Sequence, residues 1–126
     1  MNKIKIKQVD AFTLKPHSGN PAGVVVDGDR LSEAHMQSVA REMSLSETAF
    51  ILSSTKPEAD LRIRWFTPTN EVPLCGHATV AAFHALAEEG KHGMTGDGKF
   101  SFHLETASGI LPVDVEKSQG RITVML

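Results

Sequence analysis

The sequence is poor in the residues that usually stabilise secreted or membrane proteins. It has one cysteine, one tryptophan and no tyrosine among its 126 residues. A single cysteine excludes an internal disulfide framework and agrees with a reducing compartment, so we expect a cytoplasmic protein. No apolar run is long enough to span a bilayer and no signal-peptide pattern is present, so we expect no membrane partner.

The charges are nearly balanced. The sequence contains thirteen lysine and arginine residues and fifteen aspartate and glutamate residues, which gives a formal net charge of -2. Without a basic excess we expect no nucleic-acid partner. The length predicts one domain over residues 1–126 with a single core, and no repeat or linker divides it.

The hydrophobic pattern predicts an α+β fold. An amphipathic helix follows Ser32, which can cap it, and a second helix over 78–86 has almost no polar face, as expected of a buried helix. A turn is expected over His17–Pro21. Strands are predicted over 4–12, 22–26, 48–52, 61–66, 100–106, 110–116 and 121–126. The natural architecture is a set of strands that encircle one buried helix.

The most informative segment is Arg64–Thr79, where Cys75, Gly76 and His77 open directly into the apolar helix. Gly76 lets the backbone approach a ligand, and the first turn of a helix carries unpaired N–H groups at its positive end. A thiol and an imidazole lie at the same point. The segment therefore predicts a site where a carboxylate-bearing substrate meets a proton carrier.

Four phrases occur in order along the chain: Val9–Thr13, Gly19–Val25, Leu45–Phe50 and Arg64–Thr79. Together they resemble the amino-terminal half of the phenazine-biosynthesis PhzF-like family, relatives of diaminopimelate epimerase. The resemblance covers essentially the whole chain. It implies one lobe of a diaminopimelate epimerase-like fold, a β-barrel-like mixed sheet wrapped around a buried central helix. The active site, which needs no cofactor, would lie in the cleft between two such lobes.

The resemblance also implies roles for individual residues. The family's characterised member is an isomerase that moves a proton between carbons of a cyclic dihydro-hydroxyanthranilate. Glu47 matches the family's general acid/base, and His77 matches the histidine that assists it and positions the substrate carboxylate. Gly76 would supply backbone N–H groups, and Asn20 would lie in the loop beside the site. An aspartate and a second glycine loop belong to the other lobe.

Two features have competing interpretations. Cys75 is either an ionised acid/base, as in the epimerase relatives, or a small apolar filler among the substrate-binding residues, and we favour the second. Residues 19–23 form either a plain tight turn or part of the substrate site. We expect no metal site, because Cys75 and His77 are too close in sequence for an ordinary zinc pair and no CxxC or HExxH motif exists.

Two functions from different classes remain open. The first is one lobe of a cofactor-independent isomerase or epimerase that acts on a small carboxylated metabolite and is inactive alone. The second is a non-catalytic small-molecule-binding or oligomerising module. The last predicted strand runs to Leu126 without a terminating turn, so we expect a truncated two-lobe protein. Its open strand edge is expected to pair with a second copy, giving a homodimer or higher oligomer.

Overall fold

The computed structural model describes residues 5–11 and 20–126, and within them eight strands and two α-helices follow one another. A short 3₁₀ turn over Gly28–Arg30 precedes the first helix. The helices are α1 (Glu33–Met43) and α2 (Gly76–Glu88). The strands are β1 (Lys7–Ala11), β2 (Asn20–Val25), β3 (Glu47–Leu52), β4 (Leu61–Phe66), β5 (Glu71–Val72), β6 (Gly98–Thr106), β7 (Gly109–Ser118) and β8 (Arg121–Met125).

The strands form one mixed sheet. Their order is β1-β2-β3-β4-β6-β7-β8, with the short β5 paired to β4. The β2–β3 and β4–β6 pairs are parallel and the other pairs are antiparallel. Strands from both ends of this order, β1 and β8, contact α2, so the sheet curls around that helix. The predicted α+β fold, a β-barrel-like mixed sheet around a buried central helix, is confirmed.

The central helix α2 owes its position to its composition. Alanine favours helix and takes little space, so strands can approach α2 closely. Phe83 and Leu86 are at most 1% exposed and fill the space between helix and sheet. The ring of Phe83 lies 5.5 Å from that of Phe102 on β6. The buried residues of α2 are Ala78, Thr79, Ala81, Ala82, Phe83, Ala85, Leu86 and Ala87.

The amphipathic helix α1 covers the outer face of the sheet. Ser32 caps it by accepting a hydrogen bond from the backbone N–H of His35, as its position predicts. Met36 and Ala40 are buried against Phe50 and Phe66, whose rings meet edge to face at 5.5 Å. Strands β3 and β4 are therefore packed on both sides, α2 on one and α1 on the other.

The carboxyl end of α2 is closed by a charged side chain from the sheet. The Lys117 ammonium on β7 donates to the carbonyl oxygens of Ala87 and Met94, both at 2.8 Å. A cation is favourable at this end of a helix because the last carbonyls carry partial negative charge. Lys117 thus caps the carboxyl end of α2. The amino end of the helix, which begins at Gly76, lies beside polar side chains.

Some local predictions need correction. The predicted turn over His17–Pro21 was wrong at its end, because Asn20 and Pro21 already belong to β2 and pair with β1. Proline is tolerated there since it stands at the start of a strand. Residues 17–19 lie outside the described residues. The sequence pattern also missed the 3₁₀ turn and β5, which are too short to show a period.

Candidate active site

Three of the residues named from sequence lie together at one end of the half-barrel. Glu47 is the first residue of β3, Cys75 is the N-cap of α2, and His77 lies in the first turn of that helix. Because α2 packs against β3, the start of the strand and the start of the helix are neighbours. The fold therefore brings together side chains that are 28 or more residues apart in the chain.

The three side chains are in direct contact. Glu47 Oε1 lies 3.1 Å from His77 Nε2. The thiol of Cys75 donates to Glu47 Oε1 at 3.2 Å, and its Sγ lies 3.3 Å from His77 Nδ1. The side chains of Glu47 and His77 are 18% and 15% exposed, so both are shielded but remain accessible. The contacts from Cys75 and His77 can hold the Glu47 carboxylate in one orientation, from which it can accept or donate a proton.

The thiol in this cluster is protonated at neutral pH. Burial raises the pKa of Cys75 to about 11, and the neighbouring Glu47 carboxylate adds to the effect. The backbone N–H groups of Ala78 and His77 act in the opposite direction but do not compensate. Our interpretation of Cys75 as a lining residue agrees with this chemistry, since a thiol acts as a base only when it is ionised.

We expect Cys75 to react slowly with a thiol reagent. At pH 7.5 its alkylation by iodoacetamide should be about a hundredfold slower than that of a free cysteine, since only the thiolate reacts. The rate should keep rising with pH towards the pKa of about 11. Mass spectrometry over a pH series measures this. Glu47→Gln should speed the reaction because it removes the neighbouring carboxylate. A rate that levels off near pH 8 would contradict the description.

The start of α2 is open to a ligand. The carbonyl of Cys75 accepts from both the N–H and the hydroxyl of Thr79, and the side chain of this N-cap residue makes no capping hydrogen bond. Gly76 is exposed, and a Cβ at that position would meet only Leu126 Cδ1, at 3.9 Å. The absence of a side chain at Gly76 therefore leaves room for a ligand to reach the backbone. Unpaired N–H groups at a helix start form a natural anion site.

A second polar network, which the sequence pattern did not indicate, holds the turn that leads into the site. The Arg64 guanidinium donates to both carboxylate oxygens of Glu71, at 2.7 and 2.6 Å, and to Glu33 on α1 at 2.6 Å. Hydrogen bonding to Glu71 raises the pKa of Arg64, and it lowers the pKa of Glu71. The alternation of β4 turns Arg64 away from α2, but nothing in the sequence pattern linked it to Glu71 or Glu33.

Two further features bear on the position of the site: the remaining predicted residue, Asn20, and a separate cavity. Asn20 belongs to β2, but its side chain lies outside the described part of the chain. A cavity of about 600 Å³ is lined by Lys5, Lys91, Arg30 and apolar side chains of β2 and α1, and by none of the cluster residues. A cavity of this volume is large enough for a small ligand, so it is a competing candidate for the site. We favour the cluster, because an acid, an imidazole and a helix start converge there.

The fold and the site define a class of protein: a half-barrel of mixed sheet around a helix whose start carries a glutamate–histidine pair. The sequence profile of the family described as phenazine biosynthesis-like protein matches residues 9–126. The chain belongs to this PhzC–PhzF family.

Individual relatives agree with that assignment. An uncharacterized isomerase, YfhB, of Bacillus subtilis is 45% identical over the whole chain, which spans 41% of YfhB. The trans-2,3-dihydro-3-hydroxyanthranilate isomerase of Pseudomonas aeruginosa is 40% identical over 90% of the chain and 38% of its own length. The chain thus spans about 40% of the length of these curated relatives.

Solved structures show the same fold. A PhzF-family protein of Bacillus anthracis matches 98% of the chain and 40% of its own, with a TM-score of 0.84 and 43% identity. A hydroxyproline epimerase of Agrobacterium vitis matches 96% of the chain and 40% of its own, with a TM-score of 0.72 at 16% identity, a likeness of fold alone. Within the described residues, neither helix is long and apolar enough to cross a membrane.

Proposed function

We propose that residues 1–126 form the amino-terminal lobe of a cofactor-independent isomerase or epimerase that moves a proton on a small carboxylated metabolite. One observation carries the proposal: Glu47 Oε1 lies 3.1 Å from His77 Nε2 at the open start of α2. Membership of the PhzC–PhzF family, whose relatives include named isomerases, supports it. The second half of the site would come from a second lobe.

In the proposed mechanism the substrate carboxylate binds at the start of α2. The backbone N–H groups of Gly76 and His77 hold it, aided by the positive end of the helix. The Glu47 carboxylate removes a proton from a carbon near the bound carboxylate and returns it to another position. Negative charge then spreads onto the substrate oxygens, which the fixed N–H donors stabilise.

The other site residues have supporting roles in this mechanism. His77 contacts Glu47 and faces the carboxylate, so it orients both. Cys75 stays a neutral thiol that lines the site and donates to Glu47 Oε1. This hydrogen bond steadies the carboxylate while the second oxygen of Glu47 is left to act on substrate. Asn20 is assigned to the substrate side through the family resemblance. No cofactor takes part in the proposed reaction.

The name of one relative supports a proposal for the substrate class. The Pseudomonas aeruginosa relative is named for trans-2,3-dihydro-3-hydroxyanthranilate, a cyclic carboxylated compound. We propose a compound of that class as the first candidate. The experiment compares this chain with the complete two-lobed protein on that substrate, monitored by NMR. Turnover by the complete protein and none by the chain alone is expected. Turnover at an enzyme-like rate by the chain alone would contradict the division of the site between two lobes.

A second candidate function, an oligomerising or small-molecule-binding module without catalysis, is favoured by one surface feature. Leu74, Met125 and Leu126 are 44%, 47% and 62% exposed, and Leu126 approaches Gly76. Strand β8 is also an edge of the sheet. An apolar patch beside an open strand edge favours association. A cytoplasmic location and the absence of nucleic-acid partners stay predictions from the sequence.

We therefore expect this chain to form a homodimer or higher oligomer at micromolar concentration. Analytical ultracentrifugation over a tenfold concentration range measures the association. Met125→Lys should weaken it, because a charge would enter the apolar patch. Lys99→Met, on an exposed position of β6, serves as the control and should change nothing. A monomer at every concentration would contradict the expectation.

A further inference from the structure

The contact between Glu47, Cys75 and His77 has the dimensions of a metal site. The three side chains each offer one donor atom, and these atoms all lie within 4.8 Å of one another. Glu47 Oε1 lies 3.1 Å from His77 Nε2 and 3.2 Å from Cys75 Sγ, and Sγ lies 3.3 Å from the other ring nitrogen, Nδ1. Oxygen, nitrogen and sulfur ligands of a tetrahedral zinc ion are about 3.4–3.6 Å apart, from the usual bond lengths. Binding of one ion therefore requires the side chains to adjust until a single ring nitrogen lies at this separation from both Oε1 and Sγ.

Contrary to the expectation from sequence spacing, which did not consider Glu47 as a third ligand, we infer that Glu47, Cys75 and His77 bind a soft divalent cation such as Zn²⁺ or Cd²⁺. The ion receives one carboxylate oxygen, the thiolate sulfur and one imidazole nitrogen. On binding, the thiol proton leaves to solvent and the sulfur lone pair binds the metal. No oxidation or reduction takes place.

The two ring nitrogens of His77 each lie beside one of the other two side chains. Nε2 is 3.1 Å from Glu47 Oε1, and Nδ1 is 3.3 Å from Cys75 Sγ. A neutral imidazole binds a metal through either nitrogen, so the ring can act as the third ligand.

Two electrostatic effects oppose each other at this site. The positive end of α2 disfavours a cation, and this effect is confined to the first turn of the helix. The Glu47 carboxylate, which disfavours a thiolate when no metal is present, becomes an attractive neighbour once a doubly charged ion lies between them.

This inference extends the proposed function in one respect and is otherwise independent of it. Where Glu47 serves as the acid/base of the proposed reaction, the cation occupies that carboxylate and inhibits turnover. The binding itself rests only on the three donor atoms. A direct binding measurement on this chain therefore tests the site whether or not the chain is part of an enzyme.

Cobalt(II) is the best probe, because a cobalt–thiolate bond gives a charge-transfer band in the near ultraviolet. Cys75 is the only cysteine of the sequence, so such a band reports this site alone. We expect a band that saturates at about one cobalt ion per chain and disappears when Zn²⁺ is added. Cys75→Ser should abolish it. Loss of even an outer partner costs 10–100-fold in metal affinity, so Glu47→Gln and His77→Ala should each weaken binding at least ~tenfold.

His84→Ala provides the matched control. His84 lies 3.3 Å from Glu88 on the same helix, a histidine–carboxylate pair without a thiol, and its loss should leave the band unchanged. The inference is overturned if no band forms, or if binding saturates at half an equivalent because two chains share one ion. It is equally overturned if Glu47→Gln and His77→Ala bind cobalt as the unmodified chain does. Circular dichroism of each variant confirms that it is folded.

Discussion

Glu47→Gln in the complete two-lobed protein is expected to lower kcat at least ~100-fold, because a positioned acid/base contributes 10²–10⁴-fold to proton transfer. Glutamine keeps the size of the side chain and can still contact His77, but it cannot accept a proton from carbon. The substrate KM should change little, since the carboxylate of the substrate is held by the start of α2. Steady-state kinetics with trans-2,3-dihydro-3-hydroxyanthranilate measures both constants.

Glu42→Gln is the matched control for this variant. Glu42 is an exposed residue of α1, so the same chemical change there should leave kcat within experimental error. The proposed role of Glu47 is contradicted if Glu47→Gln retains activity within a factor of about ten. It is also contradicted if the loss lies entirely in KM, because that result would describe a binding residue.

Phe83→Ala should remove a large part of the stability of the lobe. Phe83 is fully buried on α2 and its ring lies 5.5 Å from that of Phe102, so truncation removes contacts at the centre of the core. Truncating a buried phenylalanine costs roughly 3–5 kcal/mol, while a whole domain is stable by only about 5–15 kcal/mol. Urea unfolding followed by circular dichroism measures the loss.

Val80→Ala separates packing from helix formation. Val80 lies one turn earlier on the same helix but is only partly buried, so its truncation should cost under about 1 kcal/mol. A loss of less than about 1 kcal/mol for Phe83→Ala would contradict the description of α2 as the centre of the core. A loss of several kcal/mol of unfolding free energy for Val80→Ala would also contradict it, because partly buried positions of α2 would then contribute as much stability as buried ones.

The sequence predicted those helices and strands whose apolar residues follow a clear pattern. The alternation of β4 and the alanine-rich composition of α2 gave both elements to within a few residues, because burial on one face or on all faces leaves a clear pattern. The 3₁₀ turn at Gly28–Arg30 and the two-residue strand β5 left none. Their existence depends on tertiary contacts, such as the pairing of β5 with β4.

The candidate site was predictable in part. Cys75, Gly76 and His77 stand together at the start of an apolar helix, and their position follows from the local sequence. Glu47 comes from a strand 28 residues earlier, so only the family resemblance linked it to them. The contacts of 3.1–3.3 Å among the three side chains depend on rotamers and packing, which residue spacing does not encode. The same is true of the bond between Arg64 and Glu71.

The most direct test of the account is a crystal structure of the complete two-lobed protein with a non-reactive aromatic analogue of dihydro-hydroxyanthranilate that keeps its carboxylate. We predict that the carboxylate lies about 3 Å from the backbone N–H groups of Gly76 and His77, as in other helix-start anion sites. The Glu47 carboxylate should then lie within about 3.5 Å of a ring carbon. A ligand bound instead in the cavity lined by Lys5, Arg30 and Lys91, with Glu47 far from any ring carbon, would contradict the account.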